Sequence, residues 1–145
     1  MMRLACAAGF LAATTQMAAA QTVPRNFPID GDYKTISISG FDVQRSGMTL
    51  KVVKDAKGIV GSGSTGCNTW TATFLFRDEE QFDVSEVTTT RKACPKAKMT
   101  SEEAFLTTLR SAHRWRVDGN RLIIEGEAGR LLLTTAAPAK KSPKS

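Results

Sequence analysis

The sequence predicts an α+β fold in which a compact, curved antiparallel sheet packs against one main helix. Strand-like alternation recurs through most of the chain, turn residues separate the alternating segments, and one segment near residue 105 repeats its apolar residues at helical spacing. Short strands joined by tight turns are typical of antiparallel sheets. We expect a single domain over residues 21–135, since a chain of 145 residues supports one hydrophobic core.

The first half of the domain predicts strands separated by turns. Alternation from Tyr33 would place Ile36 and Ile38 on the face opposite Tyr33, and a second strand follows over residues 48–53. The glycine-rich segment 58–68 has the Gly-x-Gly-x-x-Gly spacing that dinucleotide-binding proteins use before a helix. Because a threonine-rich and aromatic segment follows, we interpret it as a bulged or tightly turned strand pair.

Residues 69–76 give the clearest strand signal in the chain. Trp70, Ala72, Phe74 and Phe76 alternate with mainly threonine, as expected for a strand with one covered face and one wetter face. An acidic turn follows, and the chain is predicted to return as a strand over residues 81–87.

One helix is predicted to begin at Thr100. Thr100 can cap the helix and Glu103 stands three residues later, which is the spacing of a capping box. Apolar residues recur at helical spacing through Leu109, and Arg110 lies near the negative end of the helix dipole.

Three closing strands are predicted after the helix, over residues 115–117, 122–125 and 131–135. The turns between them contain Asp118-Gly119-Asn120 and Gly126-Glu127-Ala128-Gly129, which is residue chemistry that reverses antiparallel strands.

The first twenty residues predict a secretory signal peptide. They are small and apolar, carry a single charge at Arg3, and end in three alanines that suit cleavage after Ala20. The stretch is too short and too polar to remain as a membrane anchor, and Cys6 lies too early for the cysteine of a lipid anchor. We therefore expect a periplasmic or secreted protein without a transmembrane anchor.

Cleavage would leave two cysteines, Cys67 and Cys94, in an oxidising compartment, where pairing is expected. Closing a loop of about 27 residues stabilises a fold by ~3 to 4 kcal/mol in the loop-entropy model. A zinc site with the sole histidine, His113, is conceivable but would lack an evident fourth ligand. We expect no catalytic residues, no metal and no cofactor.

The formal net charge of +6 includes Lys140, Lys141 and Lys144 in the tail 136–145, which has no apolar period and is predicted to be disordered. The tail would aid solubility or attract anionic lipid or cell-wall polymer. Because no basic stripe is evident in the remaining chain, we expect no nucleic-acid partner.

Large apolar side chains are expected to form the core. A curved sheet closed by one helix could also leave an apolar cleft for an acyl chain or a partner's peptide. The residues that would line such a cleft are Trp70, Phe74, Phe76, Phe105, Leu109 and Trp115.

Four stretches, in order, resemble the META domain of HslJ-like, heat-inducible bacterial proteins. Gly66-Cys67-Asn68 precedes a strand, residues 88–95 follow the next strand, residues 102–109 lie on the helix, and residues 115–133 are similar to the closing strands. The residues that carry the motif, besides the cysteines, are Gly66, Asn68, Thr90, Arg91 and Pro95. The lead-in departs from the family, since Asp32-Tyr33-Lys34 stands where a tryptophan-containing first strand is usual.

The resemblance implies an envelope location, an association with heat or antibiotic stress, and no established catalytic residues. We therefore expect a monomeric, non-enzymatic binding or stress-response domain whose partner is an envelope protein or an apolar ligand. The alternatives are an inhibitor of an envelope hydrolase and a carrier of apolar ligands similar to pilotins, which the fold resembles in shape.

Overall fold

The computed structural model describes residues 23–56, 58–77 and 80–136, so the predicted signal peptide and the tail beyond Ala136 lie outside it. Within these ranges nine strands form one sheet, and one helix packs against it. The elements are β1 (Asp32–Ile38), β2 (Phe41–Asp42), β3 (Thr49–Asp55), β4 (Gly58–Ser64), β5 (Thr69–Phe76), β6 (Phe82–Thr89), α1 (Lys96–Arg110), β7 (Ala112–Asp118), β8 (Arg121–Gly126) and β9 (Gly129–Thr135).

The sheet is antiparallel and curls into a nearly closed barrel. Its strand order is β6-β5-β4-β3-β1-β9-β8-β7, with the short β2 paired to β1. The two edge strands meet where Gln81 forms a bridge with Arg114, and the Trp115 backbone N–H donates to the Glu80 carbonyl at 2.9 Å. The curved antiparallel sheet with one helix is therefore present, but the fold is mostly β and the helix is a small part of it.

Both ends of the barrel are closed by other parts of the chain. At the start of β5, the Trp70 ring lies 5.6 Å from the ring of Phe105 on α1. At the end of β5, the Phe76 ring lies 4.5 Å from Phe27, whose ring is also 4.9 Å from Trp115. We call the first the helix end and the second, closed by residues 23–31, the lead-in end.

Strand β5 confirms the strongest strand prediction, since its four alternating apolar residues are all buried. Glycines on the neighbouring β4 make room for them. A Cβ atom at Gly61 would lie 2.5 Å from the Phe74 ring, and one at Gly63 would lie 2.0 Å from the Thr49 carbonyl oxygen. The glycine-rich segment is thus a strand whose glycines allow close packing, and no helix follows it.

Strand β1 differs from the expected alternation. Tyr33 and Thr35 are buried, but so is Ile38, because the pairing of β1 with β9 shifts register between Thr35 and Ser37. The bulge adds one residue at Ile36 and reverses which positions face inward. The expectation that Ile36 and Ile38 share a face opposite Tyr33 was therefore wrong.

The predicted helix start was also wrong, because α1 begins at Lys96, four residues before Thr100. The N-cap position is Pro95, no side chain caps the helix, and the Thr100 hydroxyl donates to the Lys96 carbonyl at 3.0 Å. Residues 96–99 are mostly good helix formers, so the helix extends back to the proline. The capping-box pattern lies within the helix and does not act as a cap.

Candidate functional site

A buried polar network lies at the helix end of the barrel and centres on Asn68. This side chain is 4 % exposed, and its amide nitrogen donates to both carboxylate oxygens of Glu102 on α1, at 3.1 and 2.9 Å. The Thr65 hydroxyl also contacts the Glu102 carboxylate and accepts the Asn68 backbone N–H at 2.8 Å. Glu102 is 9 % exposed, so its charge is held by hydrogen bonds from the loop before β5.

The amide oxygen of Asn68 binds a third part of the chain. It accepts the Lys92 backbone N–H at 2.6 Å and the Thr90 hydroxyl at 3.0 Å. One side chain therefore links the loop before β5, the segment after β6 and the helix. Asparagine suits this place because it offers donors to a carboxylate and an acceptor to backbone N–H groups at once.

The loop that presents Asn68 depends on a glycine at residue 66. Gly66 has a φ of +87°, and a Cβ atom there would lie 2.4 Å from the Ser46 carbonyl oxygen. Positive φ and close backbone approach both favour glycine over any other residue. This requirement gives a physical reason for the Gly66-Cys67-Asn68 sequence.

The Cys67–Cys94 disulfide joins two of the segments that Asn68 links, the loop before β5 and the segment after β6. Its Cα atoms are 6.0 Å apart, and the cysteines are separated by 27 positions in the sequence. The predicted pairing is thus present in the structure. The Cys67 sulfur also accepts a hydrogen bond from the Asn68 amide at 3.4 Å. The bridge and the network form a single clamp that holds the start of β5 to the chain entering α1.

The structure brings together three of the five motif residues. Gly66, Asn68 and Thr90 belong to the clamp, as described above. Pro95 occupies the N-cap position of α1, and Arg91 is exposed between the clamp and the helix. Sequence reasoning missed Thr65 and Glu102. Glu102 contacts Asn68 across 34 positions and Thr65 across 37, and a pattern of neighbouring residues carries no signal for such contacts.

The structure does not bring together the two cysteines and the histidine that were considered as zinc ligands. Both cysteines are in the bridge, while His113 is exposed on β7, with its Nδ1 atom 3.4 Å from the Ser111 carbonyl oxygen. In residues 23–56, 58–77 and 80–136, no three His, Cys, Asp or Glu side chains converge in a way that could hold a metal ion. Over the same ranges, no helix has both the length and the apolar character needed to cross a bilayer.

The six residues predicted to line an apolar cleft lie in the packed core. Each is less than 10 % exposed, and the rings of the five aromatic residues contact one another or Phe27 and Phe82. Ligand binding among them stays a prediction, since a ligand would have to open this packing.

A groove lies instead between α1 and the β1–β2 hairpin. It has a volume of about 630 Å³, and its apolar lining includes Ile38, Val43 and Ala104. Phe41 stands at its rim with 77 % of its surface exposed, the largest exposure among the big apolar side chains that the structure describes. Asp42 and Glu103 also line the groove, which makes its charge negative.

Comparison with known proteins identifies a family for the chain. The META domain model matches residues 25–139. No curated protein sequence matches the chain significantly. Two similar solved structures are an NMR structure of a protein from Burkholderia xenovorans (TM-score 0.60, 18 % identity, 76 % of this chain and 84 % of that chain) and a crystal structure of a DUF4847 family protein from Bacteroides vulgatus ATCC 8482 (TM-score 0.56, 12 % identity, 76 % and 95 %). At these identities the likeness concerns the fold alone.

Proposed function

Because the chain belongs to the META domain family, we propose that it is a non-enzymatic binding or stress-response domain of the bacterial cell envelope. The observation that carries this proposal is the clamp at the helix end. Disulfides persist in oxidising compartments and are rare in the cytosol, so the Cys67–Cys94 bridge in this clamp favours export. The apolar first twenty residues supply the means of export.

The non-enzymatic part of the proposal rests on how the polar groups of the clamp are used. Both oxygens of Glu102 accept hydrogen bonds from Asn68, and Thr65 contacts the same carboxylate. A buried carboxylate with these fixed donors stabilises the fold, and the two sulfur atoms are held in a bond. These groups are therefore assigned to structure, and binding is assigned to the surface.

The location is tested by purifying the protein from the periplasmic fraction of an expressing bacterium and measuring its mass. We expect a chain that begins at Gln21 and, after proteolysis, a peptide pair joined through Cys67 and Cys94. A cytosolic protein that still begins at Met1 and reacts with thiol reagents in its native state would contradict the proposal.

A second candidate function, in line with the carrier and inhibitor alternatives, is capture of a partner segment in the groove beside α1. The exposed Phe41 ring and the apolar lining suit apolar side chains, while Asp42 and Glu103 suit a basic residue next to them. The occupant that fits is an apolar peptide segment carrying positive charge.

The groove is tested with a Phe41→Trp variant, because Trp70 and Trp115 are buried in the core and would report poorly on the surface. Titration with a leucine–lysine peptide should change the fluorescence of residue 41 saturably, and a leucine–glutamate peptide of the same length and pattern should not. A second substitution, Glu103→Lys, should abolish the response to the basic peptide. Equal responses to both peptides, or none to either, would contradict the assignment.

A further inference from the structure

Residues 23–31 close the lead-in end of the barrel, and we call them the lead-in segment. The ring of Phe27 is buried against Phe76 and Trp115, at 4.5 and 4.9 Å. Ile29, two residues later, is only partly buried where it packs against the core. The closure of this end therefore depends mainly on one inserted ring.

Few polar contacts attach the lead-in segment to the barrel. Among the described residues, its single backbone hydrogen bond to a strand runs from the Asp30 N–H to the Val52 carbonyl at 2.8 Å, and its other backbone bonds lie within the segment. Asp30 has a φ of +63°, which is uncommon for a residue other than glycine, and Gly31 follows it just before β1. The segment belongs to no strand, so it can move away at these two residues while the strand pairs remain intact.

The Trp115 ring, which Phe27 covers, carries a buried donor without an acceptor. Trp115 is 4 % exposed, and its Nε1 atom has no hydrogen-bond partner within the described ranges. The only other buried side-chain nitrogen or oxygen in those ranges that lacks a partner is the Thr35 hydroxyl. Trp70, by contrast, donates from Nε1 to the Thr49 carbonyl at 3.3 Å. Buried indole N–H groups usually find a partner, so the exception at Trp115 points to an acceptor that the chain itself does not supply.

The surroundings of this donor restrict the chemistry of the acceptor. Phe27 and Phe76 make them apolar, so an ionised carboxylate without a cationic partner would be costly there, whereas a neutral carbonyl is satisfied by one donor. A phenyl ring is only a weak acceptor for an N–H group, so a carbonyl would bind the donor more strongly than Phe27 can. Phe76 stacks on Phe82 at 5.9 Å, so the core beneath stays closed and movement of Phe27 makes room for about one phenyl ring.

We propose that the lead-in end binds a small aromatic molecule with a neutral carbonyl group, which displaces Phe27 and accepts a hydrogen bond from Trp115 Nε1. The ring of the ligand takes the place of the Phe27 ring against Phe76 and Trp115, so the apolar contacts that close the barrel form again. The displaced segment turns at Asp30 and Gly31, and the new hydrogen bond offsets part of the cost of moving it. None of these residues lines the groove beside α1, so the inference goes beyond the proposed function.

The test titrates the unaltered protein, labelled with a heavy nitrogen isotope, with acetophenone and follows its NMR spectrum. The chain has two tryptophans, so two indole N–H signals are expected. The Trp115 signal should shift downfield saturably as the carbonyl accepts its proton, while the Trp70 signal, whose donor is already bonded to Thr49, should not move. In α-methylstyrene, the matched control ligand, a methylene group replaces the carbonyl oxygen. It should bind about fivefold more weakly, because one hydrogen bond is missing.

Three variants relate the response to the residues of the site. Trp115→Phe keeps a ring but removes the donor, so it identifies the Trp115 signal and should remove the preference for acetophenone over α-methylstyrene. Phe27→Ala should bind acetophenone about tenfold more tightly, because no ring has to be displaced. The matched control, Phe41→Ala, removes an exposed ring outside the site and should bind like the unaltered protein.

A saturable shift confined to Trp115, with the stated preference for the ketone, would support the site. No saturable shift in the unaltered protein, or binding by Phe27→Ala alone, would overturn the displacement of Phe27. Equal affinities for the two ligands would overturn the hydrogen bond to Trp115, and shifts of both indole signals would overturn the location. If Trp115→Phe does not fold, the Trp115 signal is assigned through its contacts with Phe27, and the comparison of the two ligands still decides.

Discussion

At the helix end the barrel is closed by a disulfide and by hydrogen bonds to a buried carboxylate, whereas at the lead-in end it is closed by packed rings. The polar closure is directional, so the loss of one partner leaves another buried group without its hydrogen bonds. The ring closure is non-directional, and its strength follows the apolar area and volume that it fills. We therefore expect the two ends to respond differently to substitution.

The largest effect is expected for Asn68→Ala at the helix end. The substitution removes the Asn68 amide donor and leaves the buried Glu102 carboxylate with the contact from the Thr65 hydroxyl, which should lower the free energy of unfolding by about 3 to 5 kcal/mol. Urea denaturation measures the change. As a matched control, the same substitution in a Glu102→Gln background should have a clearly smaller effect, because no buried charge then depends on residue 68. Additive losses would show that the two side chains do not cooperate.

Breaking the disulfide should have the next largest effect. Cys67→Ser and Cys94→Ser should each lower the free energy of unfolding by about 3 to 4 kcal/mol in non-reducing buffer, because the unfolded chain regains the entropy of an open loop. Thermal melting measures the loss. Cys94→Ser is the cleaner variant, since Cys67 also contacts the Asn68 amide. An unchanged melting midpoint, or a reducing agent that does not bring the unaltered protein to the level of the variants, would contradict the prediction.

At the lead-in end, Phe27→Ala should lower the free energy of unfolding by about 3 kcal/mol, the lower part of the range for a buried phenylalanine. The ring is 5 % exposed and fills the space beside Phe76 and Trp115. Because this closure depends on volume, Phe27→Leu should recover more than half of the loss in the same denaturation experiment. Equal losses for alanine and leucine would indicate a specific aromatic requirement instead.

The smallest effect concerns Tyr33, at the lead-in end of β1. Burial raises the pKa of the Tyr33 hydroxyl above its ordinary value of 10.0. The folded state therefore holds this proton more tightly than the unfolded state, so the contribution is complete below the unfolded pKa and is lost as pH rises through the folded pKa. Tyr33→Phe should flatten the alkaline part of the stability profile measured by urea denaturation. An identical decline in both proteins would assign it to other groups.

Local sequence patterns predicted the elements whose signals lie within a few residues. The alternation of β5 and the turn chemistry between β7, β8 and β9 were sufficient because each depends on adjacent positions. The helix start was misplaced because a capping-box spacing at Thr100 is compatible with the interior of a helix. The bulge at Ile36 carries no residue signature, so the inward face of β1 was misassigned.

The sites depended on contacts between distant residues. Asn68 and Glu102 are 34 positions apart, and Phe27 lies between prolines in a segment without a period, so neither closure could be read from the sequence. Alternation in β7 places Arg114 and Arg116 on one face of the sheet, but their grouping with Arg121 and Arg130 needs the register of three strands.

The meeting of β6 and β7 is narrow compared with the ladders elsewhere in the barrel. Within the described residues it consists of the Gln81–Arg114 bridge and the hydrogen bond from the Trp115 N–H to the Glu80 carbonyl, while the rest of the β6 edge is not hydrogen-bonded to another strand. Amide protons along that edge should exchange with solvent sooner than those of β4 or β9, through local opening that leaves the molecule folded. Cys94 follows β6 and is bonded to Cys67. Such opening can therefore separate β6 from β7 while the disulfide keeps the chain after β6 attached to the barrel.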